Sequence, residues 1–340
     1  MYKIERIGKG NITARIVADS LAYNHSTNEM DSRVTTFEIE YPRFILAELN
    51  THRMFSRNSA SSRAIPVKKM IGLVEQNTAM PIIWNKNQKG MQSHIEFGVN
   101  TDELGMVVDP IDDDAYSPAE AWYKARDSAI SYAKAFDESD HHKQTVNRLI
   151  EPFQMMKTIV TSTDFDNFFN LRFQSFENYD AQHEIHELAK LMYECYNDNT
   201  PVVLNEGDWH TPYYKNGYYA IDDGSTDTLE DALKISCSCC AQVSYRLLND
   251  TIEKAIDLYN ILVESDPVHA SAFEHCATPI TPNNVNNVAV THMKRVFKYD
   301  DEGNVSVEPY VVYGSGNFDN WIQYRQTIPN HVCHDFKLKG

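Results

Sequence analysis

A mixed α/β (α+β) fold, with a central sheet flanked by helices, is predicted by three features of the sequence. Two stretches, 12–20 (ITARIVADS) and 34–41 (VTTFEIEY), carry β-branched and aromatic residues with polar ones interspersed, and a polar turn-like run, NHSTNEMDS, separates them. Lys157 to Thr163 reads as a short buried strand whose flanks have helical character. Helical and strand-like segments alternate without the regular strand–helix–strand rhythm of a parallel sheet, which leaves a sheet with helices packed on it. At 340 residues and 42 % hydrophobic content the chain has enough apolar material for a sizeable core, in one large domain or two of ordinary size.

Pro42 closes the second strand, and FILAELNTHRMF then shows helical spacing at Phe44, Leu46, Ala47, Leu49 and Met54. From about Gln76 to Asp114 the composition turns to Asn, Gln, Gly and Asp, a long excursion with one short apolar piece at Met80 to Trp84. Ser117 and Glu120 form a capping box with Pro118 at the first helical position, and Trp122, Ala125, Ala129, Ala133 and Phe136 recur on one face of a helix ending near Asp140. A second irregular region, 197–226, holds Trp209 and His210. Helices are predicted at roughly Leu229 to Leu248 and Thr251 to Glu264, the second presenting Ile252, Ala255, Ile256, Tyr259 and Val263 and stopped by Pro267. In the tail a turn at 300–304 separates the strand-like runs MKRVFKY and VSVEPYVVY, and GSGNFDNWIQYRQTI follows.

The formal net charge of -17 argues against a nucleic-acid-coating surface, which needs a basic stripe, but leaves room for a small anionic ligand in a local basic pocket. One stretch reverses the sign. Between Tyr41 and Met70 (YPRFILAELNTHRMFSRNSASSRAIPVKKM) lie four arginines, a histidine and four serines. Such a cluster could be a solvated helix end. The spacing of His52, Arg53, Asn58, Ser61 and Arg63 favours a ligand site, because guanidinium forks and short hydroxyl donors can enclose a phosphate or a planar heterocycle.

Other motifs point to bland roles. Cys237, Cys239 and Cys240 with His275 and Cys276 imitate a zinc set, but on a helix the thiols fall on different faces, so they are read as packing residues and no metal is expected. His183 and His186 lack the arrangement of a metalloprotease helix, and Gly314-Ser315-Gly316 is read as a turn. Six cysteines without a disulfide-like pattern, no leader-like apolar run and no window of eighteen apolar residues suggest a soluble cytoplasmic protein with reduced thiols.

The stretch HRMFSRNSASSR resembles the signature of the flavin-dependent thymidylate synthases, the ThyX family: Arg-His-Arg, seven residues, Ser, and Arg two positions later. His52, Arg53, Ser61 and Arg63 match, as do Ser56 and Asn58. Thr51 stands in place of the first arginine, Ser59 where glutamate is usual, and Glu48 where a glutamine commonly precedes the motif. A second block, VNRLIEPF, TDFDNFFNLR and AQHEIHELA, is similar to the family's later half. A third, CCAQVSYRLLNDTIEKAIDLYNILVESDPVHASAFEHCATP, resembles the family's usual N-terminal segment, with Ser244, His269, Ser271, Phe273, Glu274 and His275 in matching places. Its position implies a circularly permuted order.

This resemblance implies a single catalytic domain over 1–340. Its parts would be a signature segment 34–70, an insertion 76–114, a nucleotide and flavin half 117–196, permuted N-terminal-type helices 229–278, an insertion 280–312 and a C-terminal segment 313–340. The implied activity is C5 methylation of dUMP using FAD, methylenetetrahydrofolate and NADPH, at subunit interfaces of a homotetramer. Arg172 would stabilise the pyrimidine ring ionised at N3, with Ser61 as a positioning hydroxyl. Arg53, Arg63 and Arg148 would hold the nucleotide, and Arg325 is a candidate to replace the arginine missing at Thr51. His52, Asn58, Asn167, His269 and Ser271 would contact the flavin. Glu48 could accept from a cytosine amino group, which keeps open a hydroxymethylase of dUMP or dCMP. A catalytically inactive nucleotide-binding protein is the further alternative.

Overall fold

Two long antiparallel strands form the spine of the computed structural model, which describes residues 4–24, 27–90, 93–111, 113–173, 181–222, 224, 226–243, 252–265, 268–284, 290–299 and 305–333. In chain order the first elements are β1 (Ile4–Ile7), β2 (Thr13–Asn24), β3 (Glu29–Pro42), a 3-10 turn (Arg43–Ile45), α1 (Leu46–Leu49), β4 (Ser56–Ser59) and α2 (Val67–Gln76). Next come β5 (Val107–Val108), β6 (Ala115–Tyr116), α3 (Pro118–Glu138), α4 (Lys143–Val146), β7 (Met155–Ser162), α5 (Asp166–Arg172) and α6 (His183–Asp198). The remainder comprises β8 (Val202–Val203), β9 (Trp209–His210), β10 (Tyr218–Tyr219), α7 (Leu229–Ala241), α8 (Ile252–Glu264), a 3-10 segment (Ala270–His275), β11 (Ala277–Pro279), β12 (Val290–Tyr299), β13 (Val305–Ser315), β14 (Phe318–Asp319) and β15 (Trp321–Gln323).

The main sheet runs β1-β2-β3-β7-β4, with β8 paired in parallel on β2. Its two faces follow from the strand period of two. Ile16, Phe37, Ile39, Tyr41, Met156 and Val160 point to one side, where α6 closes over them with Ile185, Leu188, Ala189 and Met192, spaced to fall on one helix face. The residues between them point the other way: Thr36, Ile159 and Thr161 face a layer made by the chain beyond 202. That layer contains α7, α8 and the small sheet β10-β9-β11-β15. The backbones come especially close at Gly217 (φ 91°), which lies so near the irregular register of β2 that a Cβ there would sit 2.8 Å from the Val17 carbonyl oxygen.

The predicted strands at 12–20, 34–41 and 157–163 are present, as is the helix after the Ser117 capping box. Ser117 Oγ accepts from the Glu120 N–H at 3.3 Å while the Glu120 carboxylate accepts from the Ser117 N–H at 2.9 Å. Three features differ. The helix predicted over 44–54 ends at Leu49, because the Thr51 hydroxyl turns back onto the Glu48 carbonyl (2.7 Å) and the Arg57 guanidinium takes the Leu49 and His52 carbonyls at 2.9 and 3.2 Å. The polar run Ser56–Ser59 is a strand, held as an edge against β7. A helix, α2, occupies 67–76 with Val67, Met70, Ile71 and Val74 buried against Ile130, Ala133 and Val146. The tail strands β12 and β13 pair as an antiparallel hairpin. The predicted turn at 300–304 and the 244–248 end of a predicted helix lie outside the described residues.

Candidate functional site

The elbow that follows α1 brings together three residues from the two blocks quoted above. His52 is buried, 7 % exposed, with its ring edge-on to Phe168 at 4.9 Å between centroids and tilted toward Phe55 at 5.8 Å. Phe168 comes from α5, and the same helix ends on Arg172, whose Nε donates to His52 Nε2 at 3.1 Å. Arg172 Nη1 lies 3.6 Å from Glu48 Oε2, a buried oxygen with no hydrogen-bond partner. The apolar surroundings of His52, and then the charges of Arg172 and Arg57, push its pKa down to about 4. His52 is thus neutral at pH 7, and since Nε2 accepts, its proton sits on Nδ1.

A stability measurement checks this state. The unfolded chain takes up the His52 proton near its ordinary value of 6.5, whereas the folded chain resists until about 4. Stability contributed by His52 is therefore complete above pH 6.5 and declines as pH falls from there toward 4. Replacing His52 by glutamine should flatten that part of a urea-midpoint profile. An unchanged profile would show that His52 protonates freely in the folded protein.

A second group stitches β4 to the C-terminal layer. Gln323, in the buried run Trp321–Gln323, donates through Nε2 to Ser56 Oγ at 3.1 Å, the Glu274 carbonyl at 3.1 Å and Asn317 Oδ1 at 2.9 Å. Asn317 Nδ2 in turn donates to the Met54 carbonyl at 2.9 Å. Asn58 Oδ1 lies 3.4 Å from His275 Nε2. The Arg325 guanidinium pairs with the Glu274 carboxylate and donates to the His331 carbonyl at 3.2 Å. The permuted-looking block and the signature are therefore neighbours in space, with Glu274 and His275 beside β4.

A third group gathers on Glu151. Its carboxylate receives Arg148 at 2.6 Å, Arg43 at 2.9 Å and the Ser62 hydroxyl at 3.3 Å. Asn147 completes the junction by donating to the Ser62 and Ile65 carbonyls at 2.7 and 2.9 Å. Arg148 thus stands next to the loop that carries Ser61 and Arg63. Arg53, Arg63, Asn167, His269 and Ser271 are exposed, and Ser61 is half-buried. Ser244 lies outside the described residues.

Sequence reasoning missed Glu151, Gln323 and Asn317. A lone acid and two amides in short loops and strands carry no pattern, and only the fold shows how many bonds each gathers. It also missed a cavity of about 450 Å³ between the sheet and α2, lined by Glu38, Glu40, Arg43, Ser62, Lys69 and Lys157 among others. None of the predicted site residues is among its described lining residues, although Ser62 and Arg43 tie its rim to the Glu151 junction.

The chemistry of these side chains is that of a site for anionic, carbonyl-rich ligands. Arg53, Arg63, Arg148 and Arg172 supply cationic forks for phosphates, while neutral His52 and the Asn58 and Asn167 amides offer hydrogen bonds to a ring rich in carbonyl oxygens and ring nitrogens. Among the described residues no group of three or more His, Cys, Asp or Glu side chains is placed to hold a metal ion, and no helix is long and apolar enough to cross a membrane. Cys237, Cys240 and Cys276 are buried as packing groups.

No curated protein matches this sequence. Among solved structures, a UMP/dUMP methylase, PolB from Streptomyces cacaoi, bound with 5-Br UMP, is similar at 15 % identity and a TM-score of 0.39, over 57 % of this chain and 90 % of that one. The same methylase bound with 5-Br dUMP is similar at 15 % identity and a TM-score of 0.34, over 52 % of this chain and 68 % of that one. A family model described as thymidylate synthase complementing protein matches residues 3–202, more than half of the chain, in a span holding the signature, Arg148, Asn167 and Arg172 and ending before the 229–278 block. With the signature on the elbow and its partner arginine bonded to it, the chain belongs to the thymidylate synthase complementing protein family, the flavin-dependent thymidylate synthases that its sequence resembles.

Proposed function

We propose that the protein is a flavin-dependent enzyme that methylates C5 of dUMP, with FAD as cofactor and methylenetetrahydrofolate and NADPH as co-substrates. The observation that carries this reading is the bond from Arg172 to neutral His52 on the signature elbow. A guanidinium keeps its proton at any working pH, so Arg172 can hold the pyrimidine as its N3 anion and make C5 electron-rich. FAD, when bound, supplies reducing equivalents for the one-carbon unit. Arg53, Arg63 and Arg148 hold the nucleotide phosphate and Ser61 positions it. His52, Asn58, Asn167, His269 and Ser271 hold the flavin.

On this reading the sites are completed at subunit interfaces of a homotetramer, where Arg53, Arg63, Asn167, His269 and Ser271, exposed on the single chain, would be covered. The domain reading that goes with it is one catalytic domain in the cytoplasm, in permuted order, with 76–114 and 280–312 as insertions and 313–340 as the closing segment. Arg325, paired with Glu274, would then reach the nucleotide only by exchanging that partner.

Glu48 favours a second reading. Its Oε2 is buried beside Arg172 without a hydrogen-bond donor, an environment suited to the amino group of cytosine, so dCMP, or a hydroxymethyl product, is the alternative. The test is a flavin absorbance spectrum of the purified protein, followed by mass spectrometry of dUMP and dCMP after incubation with FAD, methylenetetrahydrofolate and NADPH. A flavin spectrum and a single methyl added to dUMP are expected. A protein that neither carries nor binds FAD overturns the flavin reading, while turnover of dCMP alone or a hydroxymethyl product moves the assignment to the second. Nucleotide binding without turnover of either would mark a catalytically inactive nucleotide-binding protein.

A further inference from the structure

Six side chains form an unbroken line of hydrogen bonds between the sheet and the C-terminal layer, and four of them come from adjacent strands. Ser20 Oγ on β2 meets His210 Nδ1 at 2.9 Å, and His210 Nε2 meets Thr36 Oγ1 on β3 at 2.8 Å. Thr36 Oγ1 meets Thr161 Oγ1 on β7 at 2.7 Å, Thr161 Oγ1 meets His275 Nδ1 at 2.8 Å, and His275 Nε2 reaches Asn58 Oδ1 on β4 at 3.4 Å. Five of the six, all but Asn58, are 0 % exposed. The proposed site uses only the last member.

Each hydroxyl has one proton to give, so the sense of one bond fixes the next. A carboxamide oxygen only accepts, so His275 donates from Nε2 and its Nδ1 accepts from Thr161. Thr161 then accepts from Thr36, Thr36 accepts from His210 Nε2, and His210 Nδ1 accepts from Ser20. Run in the opposite sense, the line would end with His210 donating to Ser20, whose buried hydroxyl hydrogen would have no acceptor among the described residues. Leaving a buried donor unmet is costly, so both ends select the same direction. Both imidazoles are neutral and carry their proton on Nε2.

We infer that His275 is a positioning residue that sets which way round the Asn58 carboxamide stands, with its oxygen toward the buried line and its amino group toward the ligand. Asn58 is half-buried, and its Nδ2 has no hydrogen-bond partner among the described residues. Ser20, at the far end of the line across the sheet, helps fix the same choice. Asn58 therefore reads an acceptor on its ligand, a carbonyl oxygen or an unprotonated ring nitrogen. On the flavin reading above, on which this assignment of the ligand rests, that acceptor belongs to the isoalloxazine ring.

Two measurements test it. Two-bond proton–nitrogen correlation spectra of the ¹⁵N-histidine-labelled protein should show His275 and His210 as Nε2–H tautomers, with or without FAD. A Nδ1–H tautomer at His275 overturns the inference. In FAD titrations, His275→Leu should weaken binding about tenfold, the size of one lost hydrogen bond's positioning. His275→Gln, whose amide can still donate to Asn58, should recover most of it, and Asn58→Asp, which keeps the acceptor for His275 but loses the amino group, should bind as poorly as His275→Leu. Equal affinity in wild type, His275→Leu and Asn58→Asp also overturns it. If the wild-type protein does not bind FAD, the flavin reading falls, and the tautomer spectra alone decide the polarity of the line.

Discussion

Arg172→Ala is expected to lower turnover of the pyrimidine nucleotide by on the order of a hundredfold or more, the usual cost of removing one preorganised charge stabiliser. The argument is local. Arg172 is the cation that α5 brings to the signature elbow, through Nε to His52 and through Nη1 toward Glu48. Removing it leaves a developing ring anion without its counter-charge, takes the donor from His52 Nε2, and leaves Glu48 without its cation. Arg172→Lys should recover little, because an ammonium cannot both satisfy His52 Nε2 and face Glu48 with a planar fork. Nucleotide affinity and kcat, measured separately, distinguish a binding role from stabilisation of the reacting ring. Undiminished turnover in the alanine variant would remove Arg172 from the mechanism.

The largest effect on stability is expected at Asp19, far from that chemistry. Asp19 is buried on β2 and receives Arg33 in a two-point contact at 2.9 and 2.7 Å, the Thr35 hydroxyl at 2.8 Å, and the Asn199 amide. Arg33 also lies over the Tyr196 ring at 3.6 Å and donates to the Tyr196 carbonyl at 2.7 Å. Burial works to lower the Arg33 pKa, yet the hydrogen bond and charge of Asp19 outweigh it and hold the guanidinium above its ordinary value. Asp19→Ala strands that cation between the sheet and α6 and should cost about 3–5 kcal/mol, the range for breaking a buried pair from one side. A urea midpoint within error of the wild type would show that the pair contributes nothing net.

The parts of the fold that repeat a period were legible in the sequence. The β2–β3 hairpin, β7 and the Ser117-capped helix each show their pattern over enough residues to be recognised without tertiary knowledge. Features decided by distant partners were not. The helix after Pro42 stops at Leu49 because Arg57, eight residues on, captures its carbonyls. The strand Ser56–Ser59 has no strand-like composition and exists because β7 offers an edge. Helix α2 follows directly on the polar, basic signature stretch, and its apolar residues Val67, Met70, Ile71 and Val74 fall within a helix of only 10 residues. At the site, spacing alone marked out His52, Arg53, Asn58, Ser61 and Arg63. Arg172, 120 residues from His52, was reached through family resemblance, and the fold then put the two in contact. Thr36, Thr161 and His210 gave no signal, since a threonine in a strand is common and its bond to a histidine across the sheet is not a sequence property.

The stitching of β4 by Gln323 ties the first part of the chain to the last. The family-matched span ends at 202, yet Ser56, Thr36 and Thr161 within it spend their hydroxyls on groups contributed by residues 210, 275 and 323. Cutting the chain after 202 would bare the sheet face that carries Thr36, Ile159 and Thr161 and exchange the bonds to residues 210, 275 and 323 for bonds to water, while leaving apolar Ile159 exposed. The family-matched span and the layer beyond it therefore hold each other's polar groups, so a substitution at Ser56, Thr36 or Thr161 is felt on both sides of that boundary.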